Sequence, residues 1–332
     1  MKPPFLLSAG TSYSATTPLY FTLAKQQKYC HAGTQKENGY LKLLNLPDYR
    51  VPDYIRSLES RGRADHAWIR MVDDRDFVNE EETKEWLSPP YNLDEYVSYY
   101  LRHYERIKGT YHAVTDFTNH NFELPEDFLI QLRDALCEHF DVRVTFIFRD
   151  PIRRYYSEVG KFIQHNVLLE GSFDAHKLKH NAYVKRKAQN SLFLYYLQNQ
   201  QYYPTQQHVY VPNIQKFERV FGKERVLPII MEELWHPERQ AEVCEKLSSF
   251  LDYEITSVHE NAYYPDKGSH APHYEGLSDQ WGSDVEDITP QTYEEAKQYL
   301  GYVYQDWERC YETLPEEWNS LTSSKEYTII KE

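Results

Sequence analysis

Positive charge is in short supply. Against 51 Asp and Glu the chain carries 37 Lys and Arg, a net charge of −14 over 332 residues. General nucleic-acid binding needs a broad basic face, so the balance argues against that class and disfavours a heavily anionic polymer as partner. Cysteine is scarce as well. Cys30, Cys137, Cys244 and Cys310 stand far apart, with no C-x-x-C and no metal-finger spacing. A disulfide framework is therefore not expected, and the thiols read as reduced and mostly buried. Long apolar runs are missing too: none approaches the roughly 18 residues of a membrane-spanning helix. The opening MKPPFLLSAG has one lysine and a short apolar run that leads straight into a hydroxyl-rich loop. Cleavage there as a signal peptide would remove the first strand, so the expected location is the cytoplasm.

What is present is aromatic. Hydrophobic residues make up 41% and aromatics 15%, enough for a packed core in one large α/β domain or two lobes. The 30 tyrosines are too many for the core alone, so some must line surfaces or clefts where ring and hydroxyl both serve. Buried strands are expected at Phe5–Ala9, Tyr111–Phe117, Val142–Phe148 and Arg225–Met231, with a short one inside Lys28–Leu41. Helices are expected at Thr16–Lys25, Leu93–Ile107, Leu124–Phe140 and Pro237–Leu251. In the first helix Pro18 suits the first turn and Thr16 or Thr17 a cap. Strands alternating with helices imply parallel pairing and a doubly wound sheet, with ligands at the carboxyl ends of the strands. The stretch 47–105 reads as an inserted acceptor-side segment of helices and loops, and 263–284 as a long polar loop of functional character.

Two segments carry chemistry. The first is the loop Gly10, Thr11, Ser12, Tyr13, Ser14, Ala15, Thr16, Thr17, between a strand and a helix. Backbone N–H groups, the helix N-terminus and the hydroxyls supply donors for an anion. A nucleotide-triphosphate loop would have Gly-Lys where Ala15 and Thr16 stand, and a plain β–α turn with hydroxyl capping would look the same. The second is RDPIRRYYSEVGKF. A buried strand delivers Arg149 to its end, Pro151 turns the chain, and Ser157 follows eight residues after Arg149 in a helix. A charged fork and a hydroxyl in that arrangement suit one phosphate.

The pattern R-D-P-x-x-R-x-x-S, formed by Arg149, Asp150, Pro151, Arg153 or Arg154, and Ser157, resembles the 3′-phosphate segment of sulfotransferases that use 3′-phosphoadenosine 5′-phosphosulfate (PAPS). The rest follows that family's order, nearest its heparan sulfate (carbohydrate) branch. The resemblance implies a P-loop-type three-layer α/β fold, with a central parallel sheet flanked by helices, as a single domain over 1–332. It places the 5′-phosphosulfate at the Gly10–Thr17 loop and matches Glu37 in QKENGYL to the catalytic base. VTDFTNH is similar to the family's Gly-Asp-Phe-Ser-Pro segment, making Asp116, Thr118 and His120 candidates for the acceptor. DKGSH looks like the Lys-Gly loop that closes over the nucleotide, through Lys267, Gly268 and Ser269, and His270 lies beside it. The implied cofactor is PAPS with product PAP, and no metal is required.

The chain departs from the pattern at three positions. Tyr13 stands where the family has a lysine, Ala15 where it has a glycine, and Gly39 where the branch has a histidine. The lysine normally balances charge on the leaving oxygen, so Lys36 is the expected substitute and Tyr13 a neutral donor at best. An extended backbone would send Lys36 and Glu37 to opposite faces, against both reaching one site. A non-catalytic nucleotide- or glycan-binding protein is the alternative, and a P-loop phosphotransferase is opposed by the missing Gly-Lys. The acidic charge favours a neutral or weakly charged glycan or small molecule as acceptor.

Overall fold

A computed structural model of the chain describes residues 2–33, 36–45, 90–159, 189–198, 209–236, 238–258 and 288–318. In chain order these contain β1 (Pro4–Ser8), α1 (Thr16–Phe21), β2 (Cys30–His31), α2 (Tyr40–Leu44), α3 (Leu93–Ile107), β3 (Ala113–Asp116), α4 (Glu126–His139) and β4 (Asp141–Phe148). Residues 151–159 form α5. Then follow α6 (Gln189–Gln198), α7 (Tyr210–Phe221), β5 (Val226–Ile230), α8 (Met231–Trp235), α9 (Gln240–Leu251) and α10 (Pro290–Tyr311).

The described residues fall into two compact units. The first takes the described residues within 1–11, 15–147 and 212–265; the second takes those within 12–14, 148–211 and 266–332. In the first unit the strands form one sheet in the order β2-β3-β1-β4-β5. β1 runs parallel to both β3 and β4, with Phe5 opposite Val114 on one side and Val142 on the other. Parallel strands need crossovers, and the helices that supply them cover the sheet. This is why β1 and the second half of β4 read as apolar runs, while Asp141, Arg143 and Thr145 alternate with apolar residues at the start of β4. Phe5, Leu6, Leu7, Phe146 and Ile147 are wholly buried.

Amphipathic spacing explains α3. Tyr96, Val97, Tyr99, Tyr100, His103 and Ile107 face inward, and the Asn92 side chain caps the helix by accepting from the Glu95 N–H at 2.9 Å. The first helix departs from expectation. Neither Thr16 nor Thr17 caps it; Ala15 is the N-cap residue, in left-handed geometry and without a side-chain bond. Regular α-geometry ends at Phe21, and Thr22–Gln26 form a π-turn closed by the Gln27 N–H on the Thr22 carbonyl at 2.9 Å. The strand expected within Lys28–Leu41 shrinks to Cys30–His31.

In the second unit α6 packs on α10. Thr289 caps α10, accepting from the Thr292 N–H at 3.1 Å, with Pro290 in the first turn. Trp307 from this helix packs on Phe148, ring centroids 5.7 Å apart. Among the described residues no helix is long and apolar enough to cross a membrane. Most of the 47–105 segment and all of the 263–284 loop lie outside the described residues, as do Lys267, Gly268, Ser269 and His270.

Candidate active site

The loop after β1 is anchored before it turns. The Ala9 N–H donates to the Thr145 carbonyl and the Thr11 N–H to the Ile147 carbonyl, each at 2.8 Å, and the Ile147 N–H donates to the Gly10 carbonyl at 2.7 Å. At Gly10 φ is +104°, and a Cβ there would lie 2.5 Å from the Asn119 carbonyl oxygen. Only glycine allows the loop to pass so close to that backbone. Tyr13 and Ala15 also have positive φ, 63° and 58°, in the left-handed region. A Cβ costs strain in that region, and such strain clusters at ligand-holding turns. Thr11 and Ser14 are fully buried, whereas the Tyr13 side chain is exposed.

Within the first unit Lys36 reaches the start of α1. Its Nζ donates to Thr16 Oγ1 at 3.3 Å and to Glu37 Oε1 at 2.6 Å, and sits over the Phe117 ring at 5.6 Å. The alternation argument against Lys36 and Glu37 sharing a site fails for a local reason. Residues 36–39 are irregular backbone, not a strand, so the two-residue period does not apply. Lys36 is nearly buried at 10% side-chain exposure, while Glu37 keeps 38%. Lys25, at the end of the segment after α1, lies over the Phe21 ring, 5.2 Å from its centroid.

A residue that the sequence reading passed over completes this group. Asn119 Nδ2 donates to Glu37 Oε1 at 2.9 Å, and its carbonyl is the atom that Gly10 must clear. The signal was its place beside Thr118 in VTDFTNH. Asp116, Phe117 and Thr118 of that segment turn inward. Asp116 is wholly buried and accepts from the Tyr96 hydroxyl at 2.8 Å, the Thr118 N–H at 3.1 Å and Asn121 Nδ2 at 3.3 Å. Burial raises its carboxyl above the usual range, and those hydrogen bonds offset part of the rise. Thr118 Oγ1 accepts from the Gly39 N–H at 3.4 Å. Thr118 thus braces the turn carrying Glu37, and both side chains are buried. His120 stays half-exposed, its Nδ1 3.8 Å from Glu123.

Within the second unit Arg149 and Ser157 meet. Arg149 Nη1 donates to Ser157 Oγ at 2.8 Å and to the Tyr13 carbonyl at 3.3 Å. Because Ser157 accepts this bond, its own hydroxyl proton remains able to donate, beside the charged fork of Arg149. Of the two candidate arginines beside them, Arg154 is fully buried and pairs with Glu158 at 3.1 Å, and Arg153 is nearly buried. Neither is presented as Arg149 is.

No protein-family model matches the chain, and no curated protein matches it. Solved structures that resemble it include three sulfotransferases. A sulfotransferase from Alicyclobacillus acidocaldarius is 14% identical with a TM-score of 0.49, the likeness covering 96% of this chain and all of that one. The sulfotransferase domain of the curacin biosynthetic pathway is 14% identical with a TM-score of 0.43, over 90% of this chain and 97% of that one. A sulfotransferase from Mycobacterium avium is 13% identical with a TM-score of 0.40, over 95% and 78% respectively. At such scores the chemistry has to be read from the side chains themselves.

Proposed function

We propose that this protein is a PAPS-dependent sulfotransferase that moves a sulfuryl group to a hydroxyl or amine of a glycan or small-molecule acceptor. The observation that carries the reading is Lys36, whose ammonium stands 3.3 Å from Thr16 Oγ1 and 2.6 Å from Glu37 Oε1. It brings a cation and a carboxylate to the end of the loop that lacks the expected lysine at Tyr13. The donor set fits the cofactor. Gly10–Thr17 offers left-handed backbone positions and buried hydroxyls for the 5′-phosphosulfate, and Arg149 with Ser157 offers two donors for the 3′-phosphate.

When bound, PAPS supplies the sulfuryl group. Glu37 takes the acceptor's proton: Oε1 is held by Lys36 and Asn119, which leaves Oε2 to accept it. Lys36 contributes fixed positive charge beside Thr16, the role that Tyr13, as a neutral phenol, cannot fill. Thermal melting with PAP, PAPS and ATP tests the cofactor, and turnover of PAPS with a panel of glycans, phenols and amines, read by mass spectrometry, tests the reaction. Stabilisation by PAP and not by ATP, with sulfated product from one acceptor class, is the expected result. Stabilisation without turnover would make the chain a nucleotide-binding module, and stabilisation by ATP alone would overturn the reading.

A further inference from the structure

Asp150 is wholly buried, in the second unit, and its carboxylate bonds both to a helix start and to two tyrosines. Its Oδ1 accepts from the Arg153 N–H at 2.8 Å, and its carbonyl accepts from the Arg154 N–H at 2.8 Å. It is therefore the N-cap of α5, with Pro151 at the first helical position. Its Oδ2 accepts from two tyrosine hydroxyls, Tyr293 at 2.8 Å and Tyr304 at 2.9 Å. These stand eleven residues apart on α10, close to three full turns, so one helix face presents both. The preceding residue is pinned separately: the Tyr210 hydroxyl donates to the Arg149 carbonyl at 2.9 Å. Asp150 thus joins the end of β4, which carries Arg149, to the start of the helix that carries Ser157.

From this geometry we propose that Tyr293 and Tyr304 are positioning residues for an anion site, acting through Asp150 to set Arg149 against Ser157. The proposal rests on the reading of that pair as the 3′-phosphate fork. A carboxylate this deep costs free energy unless its lone pairs are satisfied. A helix cap alone needs one oxygen, and a solvent-exposed Asp would serve. Two tyrosine hydroxyls on the second oxygen, the Tyr293 one also 3.2 Å from the Trp318 carbonyl, tie the carboxylate to α10 as well as to α5, and so constrain the angle between strand end and helix. An error of about 1 Å in such an arrangement is enough to cost affinity for a rigid anion.

Calorimetry with PAP and with 5′-AMP, which lacks the 3′-phosphate, separates positioning from plain stability. In Tyr293→Phe/Tyr304→Phe, affinity for PAP should fall about tenfold or more while that for 5′-AMP is unchanged. Single Tyr304→Phe and Asp150→Asn, which keeps an oxygen for the helix cap, serve if the double variant does not fold. The side-chain N–H resonances of Arg149 in wild type and variants give a measure independent of ligand, and should lose their distinct shift when the hydroxyls are removed. Equal losses for both nucleotides, or none for either, would overturn the proposal. If wild type binds 5′-AMP and PAP equally, the fork is no 3′-phosphate site, and the anion assignment falls. Arg149 resonances that do not change on removal of the hydroxyls would show that the tyrosines hold nothing.

Discussion

The Lys36 ammonium donates to the Thr16 hydroxyl at 3.3 Å, across twenty residues of sequence. It sets a buried cation against the first turn of the helix that follows the hydroxyl-rich loop. The consequence is a specific expectation. Lys36→Ala should lower turnover about 10²-fold or more, the scale of removing one preorganised donor from a developing charge. Tyr13→Lys should give no gain in the parent protein, because the cation is already supplied. A marked gain in Tyr13→Lys with Lys36→Ala still active, measured by mass spectrometry of product, would return the role to position 13.

Glu37 is tested by an isosteric change. Glu37→Gln removes the proton acceptor and keeps the shape, so turnover should fall about 10²-fold or more while affinity for PAP holds. Single-turnover assays beside calorimetry read the two quantities apart. Undiminished turnover would move the base elsewhere, with His120 the next residue to change.

Arg149→Ala should weaken PAP binding by roughly 2–4 kcal/mol, as expected when a partly desolvated charged contact to an anion is removed. Calorimetry on the folded variant gives the number directly. Unchanged affinity would sink the fork.

A fourth expectation concerns pH. His103 Nε2 lies 2.9 Å from His31 Nδ1, and the Gly33 N–H also points at that nitrogen from 3.1 Å. Burial first, then His31 and Arg106, hold His103 well below the usual imidazole value of 6.5. Above that value His103 is neutral in both states and its stability contribution is complete. As pH falls below it, the unfolded chain binds a proton that the folded chain refuses. Stability then drops by up to about 1.4 kcal/mol per pH unit for this group, until the lowered folded value is reached. Asp116 has the opposite sign: raised by burial, it stabilises at low pH and loses that contribution as pH rises through its folded value. Melting temperatures at successive pH values between 7 and 5 should fall in wild type and fall less steeply in His103→Gln. Equal slopes would show that the pair does not govern acid stability.

Local pattern accounts for the strands and helices found where the sequence placed them. β1, β4 and α3 carry their own periodicity, their own cap or their own unbroken apolar run, and these depend on neighbours a few residues away. The expected α/β architecture with a central parallel sheet followed from that alternation. So did the approach of Arg149 to Ser157, since both lie on one continuous strand–turn–helix segment of nine residues. The inward turn of Asp116 was not legible, because a polar residue at a strand end looks the same whether it meets a ligand or a buried tyrosine hydroxyl.

Tertiary structure decided the rest. Glu37 meets Asn119 across 82 residues, and Asp150 meets Tyr293 and Tyr304 across 143 and 154. No periodicity or spacing encodes such contacts. They exist because sheet order and helix packing bring distant chain segments together, and because a buried carboxylate is tolerated only where donors from those segments already wait. The sequence by itself determined which residues are able to bind an anion, take up a proton or carry a charge. Which of them share a site was settled by packing, through the free-energy cost of leaving any buried polar atom unsatisfied.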